Sequence, residues 1–384
     1  MGGEVIGIDP LSGTALRIEW EGDVIHSVSS ETATKSLPYL SRPFFDIQLN
    51  GLRGIDYTGD FDTADIERVI RALGRSGTGF HLPTIITSSR EQIVKNLAAF
   101  AHARRESPLV AACVPGVHVE GPFISEIDGP RGAHDAKYVR DPSVSEVDEW
   151  VEAGEGMLSL VTLAPERSGA SDVIDRLVSH GVRVGIGHTA AARADIRAAA
   201  THGASISTHL GNGSHAQVPR LHNYVWAQLG DPRLLASVIS DGHHLPDDVL
   251  YSFFQTKGAD RTIIVSDAAP VAGLEPKEYR WGDLKVELPE NGPLRLSGTE
   301  FLAGAATLLD AGLVNFMRVT GEPLATALRL VTVNPARFVG MPWDSLTVGS
   351  AASFVTFERK PGAHRLAISR LVVSGHELFA QDAA

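Results

Sequence analysis

The chain has 384 residues, with 34 Lys and Arg against 46 Asp and Glu, a formal net charge of −12. That acidic balance offers phosphates no basic field, which excludes a general nucleic-acid or membrane-surface binder. Apolar residues at 43 % and charged residues at 21 % are the proportions of a globular enzyme of one large or two ordinary domains.

Residues 1 to about 40 carry short alternating segments, EVIGI, ALRIEW and DVIHSV, each bounded by Gly, Ser or Asp. They predict the strands of a small sheet. From Pro43 the texture becomes apolar strand followed by helical pattern, repeatedly. The predicted strands are 44–50, 80–86, 114–121, 158–165, 182–189, 205–212, 235–242 and 262–269. Amphipathic stretches lie between them, among them ADIERVIRALGRSG, REQIVKNLAAFAHARRE and ASDVIDRLVSHG, several ending in a capping glycine. Eight strand–helix units predict an α/β fold, a (β/α)8 TIM barrel over 43–344. A β insertion is expected around LKVELPENGPLRLSG (284–298). The alternative, an open doubly wound sheet, is disfavoured because no Gly-rich phosphate fingerprint follows the first strand. The C-terminal SFVTFE and HRLAISRLVVSGHEL return to strand texture. Residues 1–42 and 345–384 are therefore expected to form one small β-sandwich domain.

The single cysteine, Cys113, forms no internal disulfide, reads as a small buried hydrophobe and fits a reducing compartment. MGGEVIGIDP has neither the basic nor the apolar region of a secretory signal, and no run of 18 apolar residues occurs. A cytoplasmic location is the expectation.

Barrel enzymes carry their chemistry at the C-terminal strand ends. There the sequence places Gln48 and Asn50, His118 and Glu120, His188, His209 and Asn212, Asp241 with His243 and His244, and Asp267. Two imidazoles and a carboxylate suit a borderline divalent ion with an open position for water. Glu120 lies two residues past His118, so both face one side of the strand. Burying Glu120 without a partner would be costly, which favours ligation. His118 sits one layer deeper and is expected to be a hydrogen-bonded core residue. His215, His222 and His243 are expected to be loop or solvent residues.

HVEGPF (118–123), GAH (132–134), GIGHT (185–189), THLGN (208–212), SDA (266–268), LAGA (302–305) and NPAR (334–337) together resemble the N-acetylglucosamine-6-phosphate deacetylases of the amidohydrolase superfamily. The resemblance runs from about Pro43 to Gly340. It implies that Glu120, His188 and His209 hold the metal, that Asp267 is the general acid/base, and that His134 polarises the acetyl carbonyl. It implies that Asn212, Gly213 and His244 touch the substrate, and it sets Gln48 and Asn50 beside them. Many superfamily members carry His-x-His at the end of strand 1. Gln48 and Asn50 stand there instead, and the fourth strand offers no lysine for carbamylation, so one ion per chain is implied. Zinc is the first choice, with Fe, Co or Mn as alternatives. In the family an Arg-Glu-Pro-Gly segment follows the second histidine, its arginine reaching the substrate phosphate of the neighbouring subunit. Arg220 stands at that distance, but Leu221, His222 and Asn223 replace its companions. A homodimer in which Arg220 serves the other subunit is the expectation. The expected activity is removal of the N-acetyl group from an N-acetylated amino sugar, N-acetylglucosamine-6-phosphate above others. Two alternatives stay open: hydrolysis of another N-acyl or cyclic amide without a phosphate, and an inactive sugar-phosphate-binding protein.

Overall fold

The eight expected strands occur as Phe44–Leu49, Thr78–Ile86, Val117–Glu120, Leu158–Leu163, Arg183–Ile186, Ile206–Ser207, Leu235–Ile239 and Thr262–Val265. In this computed structural model, which describes residues 2–34, 36–290, 292–343 and 346–381, they lie side by side in chain order, all parallel. The first and last meet at their C-terminal ends. Asp267 N donates to Gln48 O at 3.0 Å, and Asn50 N to Ala268 O at 2.9 Å. The sheet therefore closes into a barrel, and the doubly wound alternative falls.

Local sequence explains the helices. Thr63–Leu73 starts at Asp62, whose carboxylate accepts from Asp65 N while the Asp65 carboxylate accepts from Asp62 N, satisfying two N–H groups that the first turn leaves free. Ile66, Val69, Ile70 and Leu73 recur at helical spacing and are buried against the sheet. The predicted helices all occur. Sequence analysis did not single out the short helices Pro108–Cys113 and Tyr224–Leu229, nor Leu309–Thr320, Leu324–Val331 and Val333–Val339. Cys113 is fully buried, as expected.

Every predicted strand but 80–86 ran past the observed end, those at 182–189, 205–212, 235–242 and 262–269 by three residues or more. Those four observed strands stop at Ile186, Ser207, Ile239 and Val265. The backbone turns at His188 and His209, whose φ angles are +50° and +31°, outside any strand conformation.

The chain ends build a seven-stranded sheet. Its order is His376–Ala380, Ala367–Val373, Phe354–Glu358, Tyr39–Ser41, Gly2–Ile8, Ala15–Glu21, Val24–Glu31. Two strands separate those bearing Trp20 and Phe354, so a flat sheet would hold these residues about 14 Å apart, three strand spacings. Their rings are 4.9 Å apart. The sheet is thus one curled sheet rather than two stacked ones, closed on itself by Ile25 N to Ser350 O at 2.9 Å and Ala352 N to Asp23 O at 2.7 Å. We propose the domain division at residues 42 and 345; its second boundary, residues 344 and 345, lies outside the described residues.

The insertion follows the eighth strand as Lys277–Trp281, Leu284–Leu288 and Arg295–Leu296. Trp281, Val286, Leu288 and Leu294 pack with Ala269, Val271 and Ala303 into its own core. Lys137 bridges to Asp135 and to Asp283, tying the insertion to the loop that carries His134. Among the described residues no helix is long and apolar enough to cross a membrane.

One buried histidine away from the strand ends makes stability pH-dependent. Burial pushes His81 down to about 3, and its Nε2 lies 3.0 Å from the Tyr57 hydroxyl. An unfolded histidine titrates near 6.5. Between those values the unfolded chain binds a proton that the folded chain refuses, so His81 draws stability down as pH falls through that window, by about 1.4 kcal/mol per unit. The melting midpoint is expected to drop from pH 6.5 to 4. His81→Gln, which keeps an acceptor for Tyr57 and does not titrate, should remove the share of that drop that His81 contributes; an unaltered pH profile in this variant would contradict the assignment.

Candidate active site

Glu120, His188, His209 and Asp267 stand at or just beyond strand ends, on one cleft of roughly 270 Å³. His188, His209 and Asp267 all have positive φ, +50°, +31° and +50°. Only a few per cent of non-glycine residues adopt this conformation, and the strain of about 1–3 kcal/mol each collects at functional sites. The turn points each side chain over the barrel mouth instead of leaving it on the strand face.

The polar atoms converge tightly. His209 Nε2 lies 2.9 Å from Glu120 Oε1 and 3.1 Å from His188 Nε2. His188 Nε2 is 3.5 Å from the same Glu120 oxygen and 3.2 Å from His134 Nε2. His188 Nδ1 is 2.9 Å from the Pro130 carbonyl, which can only accept, so Nδ1 carries a proton and Nε2 is left as the nitrogen that can ligate in the cluster. The imidazole nitrogens and the carboxylate oxygen thus converge on one point, as the donor atoms of a shared cation do. The separations approach the edge of about 3.4 Å that a tetrahedron has with metal–ligand bonds of about 2.0–2.1 Å. The donor set therefore fits a small divalent ion. Glu120, His134 and His188 offer ligand atoms all within 4.8 Å of one another, so the structure brings His134 into the cluster as well.

The electrostatics follow from burial and proximity. Burial would raise Glu120, but the imidazoles of His188 and His209 beside it outweigh that and hold the carboxyl well below its usual range. Burial opposes a charge on His209, yet Glu120 beside it raises its pKa. His134 is held well below the ordinary imidazole value, by burial first and the neighbouring His188 second. Burial, then the like charge of Glu120, pushes Asp267 up to about 6.

Supporting groups fix these side chains. Gln48 Nε2 donates to Glu120 Oε1 at 2.9 Å and to Asp267 Oδ1 at 3.2 Å. Gln48 was expected on the substrate side. It is buried and spent on the two carboxylates, and it does not line the cleft. Asn50 does line the cleft, and its Nδ2 donates to Asp267 Oδ1 at 2.8 Å. His134 Nδ1 is 2.7 Å from Thr87 Oγ1. His244 Nδ1 is 2.8 Å from Asp241 Oδ2, which orients that ring on the cleft wall. His118 is the expected core residue: fully buried, Nε2 2.8 Å from Thr162 Oγ1, with burial pushing it down to about 4.

Asn212 and Gly213 line the cleft. Gly213 has a φ of +55°, and a Cβ there would stand 2.7 Å from His188 Nδ1, so glycine is required. Arg220 does not line the cleft; it is exposed and makes no ion pair among the described residues. His222 and His243 are exposed; His215 lies in a loop, as expected, and that loop lines the cleft. Sequence reasoning also passed over Trp281 and Phe301, which line the cleft, and Thr87, which touches it through His134, because each comes from a loop or from the insertion.

A closed eight-stranded barrel with this Glu/His cluster at its C-terminal mouth defines a hydrolase of the metal-dependent amidohydrolase superfamily. No protein-family model matches the chain. It is 31 % identical over 359 residues to the N-acetylglucosamine-6-phosphate deacetylase of Caenorhabditis elegans, covering 89 % of this chain and 83 % of that one. It is 28 % identical over 337 residues to the N-acetylgalactosamine-6-phosphate deacetylase of Escherichia coli O157:H7, covering 87 % of each. Its fold matches a mutant N-acetyl-D-glucosamine-6-phosphate deacetylase from Mycobacterium smegmatis in complex with N-acetyl-D-glucosamine-6-phosphate, with a TM-score of 0.84, 27 % identity and coverage of 95 % and 94 %. The chain belongs to the N-acetylglucosamine-6-phosphate deacetylase family.

Proposed function

We propose that this chain removes the acetyl group from N-acetylglucosamine-6-phosphate, yielding acetate and glucosamine-6-phosphate. The observation that carries the reading is the convergence of Glu120, His188 and His209 beside Asp267 in one cleft, in a chain of this family. Those three residues would hold one divalent ion, zinc first among candidates, and His134 stands against it. When bound, such an ion polarises the acetyl carbonyl and acidifies water. Asp267 accepts a proton from the attacking water as oxygen adds to the carbonyl carbon. His134 donates from Nε2 to the oxygen on which charge develops, its Nδ1 accepting from Thr87. Asp267 then delivers the proton to the leaving nitrogen as the C–N bond breaks. Asn50 and Gln48 hold its carboxylate at the angle both transfers need.

Among the described residues no Lys or Arg lines the cleft. A dianionic phosphate would need a cation, and Arg220 of the partner subunit in a homodimer would supply it, its planar fork suiting two parallel hydrogen bonds. The same observation favours a second reading, an unphosphorylated N-acetylated amino sugar. A panel of N-acetylated sugars with and without the 6-phosphate decides between them. Under the first reading Arg220→Ala should raise KM for the phosphorylated sugar about ten- to a hundredfold and leave the unphosphorylated one alone. An equal effect on both, or a monomer in solution, would sink the contribution in trans. A cytoplasmic location fits the metabolic role.

A further inference from the structure

The segment after His209 departs most from the family pattern, and it holds a structured pair that the mechanism above does not use. His215 lines the cleft. Its backbone N–H donates to the Tyr224 hydroxyl at 2.8 Å, and its Nδ1 lies 3.0 Å from that same oxygen. Tyr224 is buried as the first residue of the helix Tyr224–Leu229, whose cap Asn223 accepts from Trp226 N at 3.0 Å. The Tyr224 oxygen thus already accepts one hydrogen bond, and its own proton has one acceptor among the described residues, His215 Nδ1. A buried hydroxyl that left its proton unused would be costly. The proton therefore goes to Nδ1, which fixes the neutral ring in the tautomer with N–H at Nε2. Nε2 meets no protein partner among the described residues.

The loop bearing His215 is held in register with the metal-binding cluster. Gly213 packs against His188 Nδ1, and a Cβ on Gly129 would stand 3.1 Å from His215 Cα. The Gly129–Gly132 turn supplies the Pro130 carbonyl that orients His188. His215 is therefore a fixed donor at a set place on the cleft wall rather than a mobile loop side chain.

We propose that His215 is a substrate-binding residue that donates from Nε2 to an oxygen of the amino sugar, and that Tyr224 is the positioning residue that sets its tautomer. This rests on the deacetylase reading and deepens it, because it provides a donor from within the same chain where no Lys or Arg lines the cleft. The oxygen is a phosphoryl oxygen or a ring hydroxyl, and the two sources separate kinetically.

The test is steady-state kinetics of the zinc-loaded full chain on N-acetylglucosamine with and without the 6-phosphate. If the oxygen is phosphoryl, His215→Ala raises KM about ten- to a hundredfold for the phosphorylated sugar alone; if hydroxyl, about two- to tenfold for both. In either case KM moves more than kcat. His215→Gln, which can place an amide N–H near the Nε2 position, should recover part of the loss, and His215→Asn should not. Tyr224→Phe should reproduce part of the KM rise. Unchanged KM on both sugars in His215→Ala, or rescue by Asn instead of Gln, overturns the role of His215 while the functional reading stands. No turnover of either sugar by the wild-type chain overturns the functional reading and this inference with it.

Discussion

Asp267→Asn is expected to keep the barrel, keep the metal and lose nearly all turnover. General acid/base loss alone costs about 10²–10⁴ in rate. One carboxyl here is assigned both proton transfers, so the upper end or beyond is expected. The substitution is nearly isosteric, and the amide oxygen can still accept from Asn50 and Gln48. Stability should hold or rise. Burial and the nearby Glu120 charge push Asp267 up to about 6, so its ionised form is unfavourable in this place, and a neutral amide relieves that cost. The expected signature is a collapsed kcat with an unchanged or higher melting midpoint and full metal content. Near-normal kcat would put the base elsewhere.

Glu120→Gln is expected to lose metal and activity together. Glu120 is the carboxylate that both His188 and His209 face, at 3.5 and 2.9 Å. An amide of the same shape carries no charge to offset the ion, and Gln48 Nε2 would lose the anion it now donates to. Losing a residue that merely supports a ligand typically costs 10–100-fold in metal affinity. Removing this carboxylate should exceed that. Elemental analysis of purified wild-type chain is expected to give one ion, and the variant a small fraction of one. Two ions per wild-type chain at full occupancy would overturn the single-ion count argued from Gln48 and Asn50.

The barrel was legible because its signal is repetitive: each apolar strand is bounded by a helical pattern, and burial on both faces leaves little ambiguity. The cluster was legible because Glu120, His188, His209 and Asp267 each fall at the end of such a strand. Two things were hidden. Where strands stop was hidden at His188 and His209, because a positive φ is a property of packing and is not marked by residue type there. Contributions from loops were hidden too. The partnership of His215 with Tyr224 depends on a short helix too brief to show periodicity. Gln48 was misplaced for a different reason: its position at the strand end was right, but only the structure shows its amide turned toward two carboxylates.

The curled sheet made from both chain ends sets an order of events during synthesis. Barrel strands pair mostly with sequence neighbours, so the barrel can assemble as the chain emerges. Tyr39–Ser41 cannot complete its pairing, because Ser41 waits for Val355. At about 5–20 residues per second, that strand leaves the ribosome on the order of tens of seconds before its partner. Throughout that interval both edges of the N-terminal sheet stand open, since Val24–Glu31 also waits for Ser350 and Ala352, and each is a template for pairing with other nascent chains. The segment 350–380 therefore acts as a seal, and a chain cut short before Ser350 would carry a barrel whose N-terminal sheet stays permanently open.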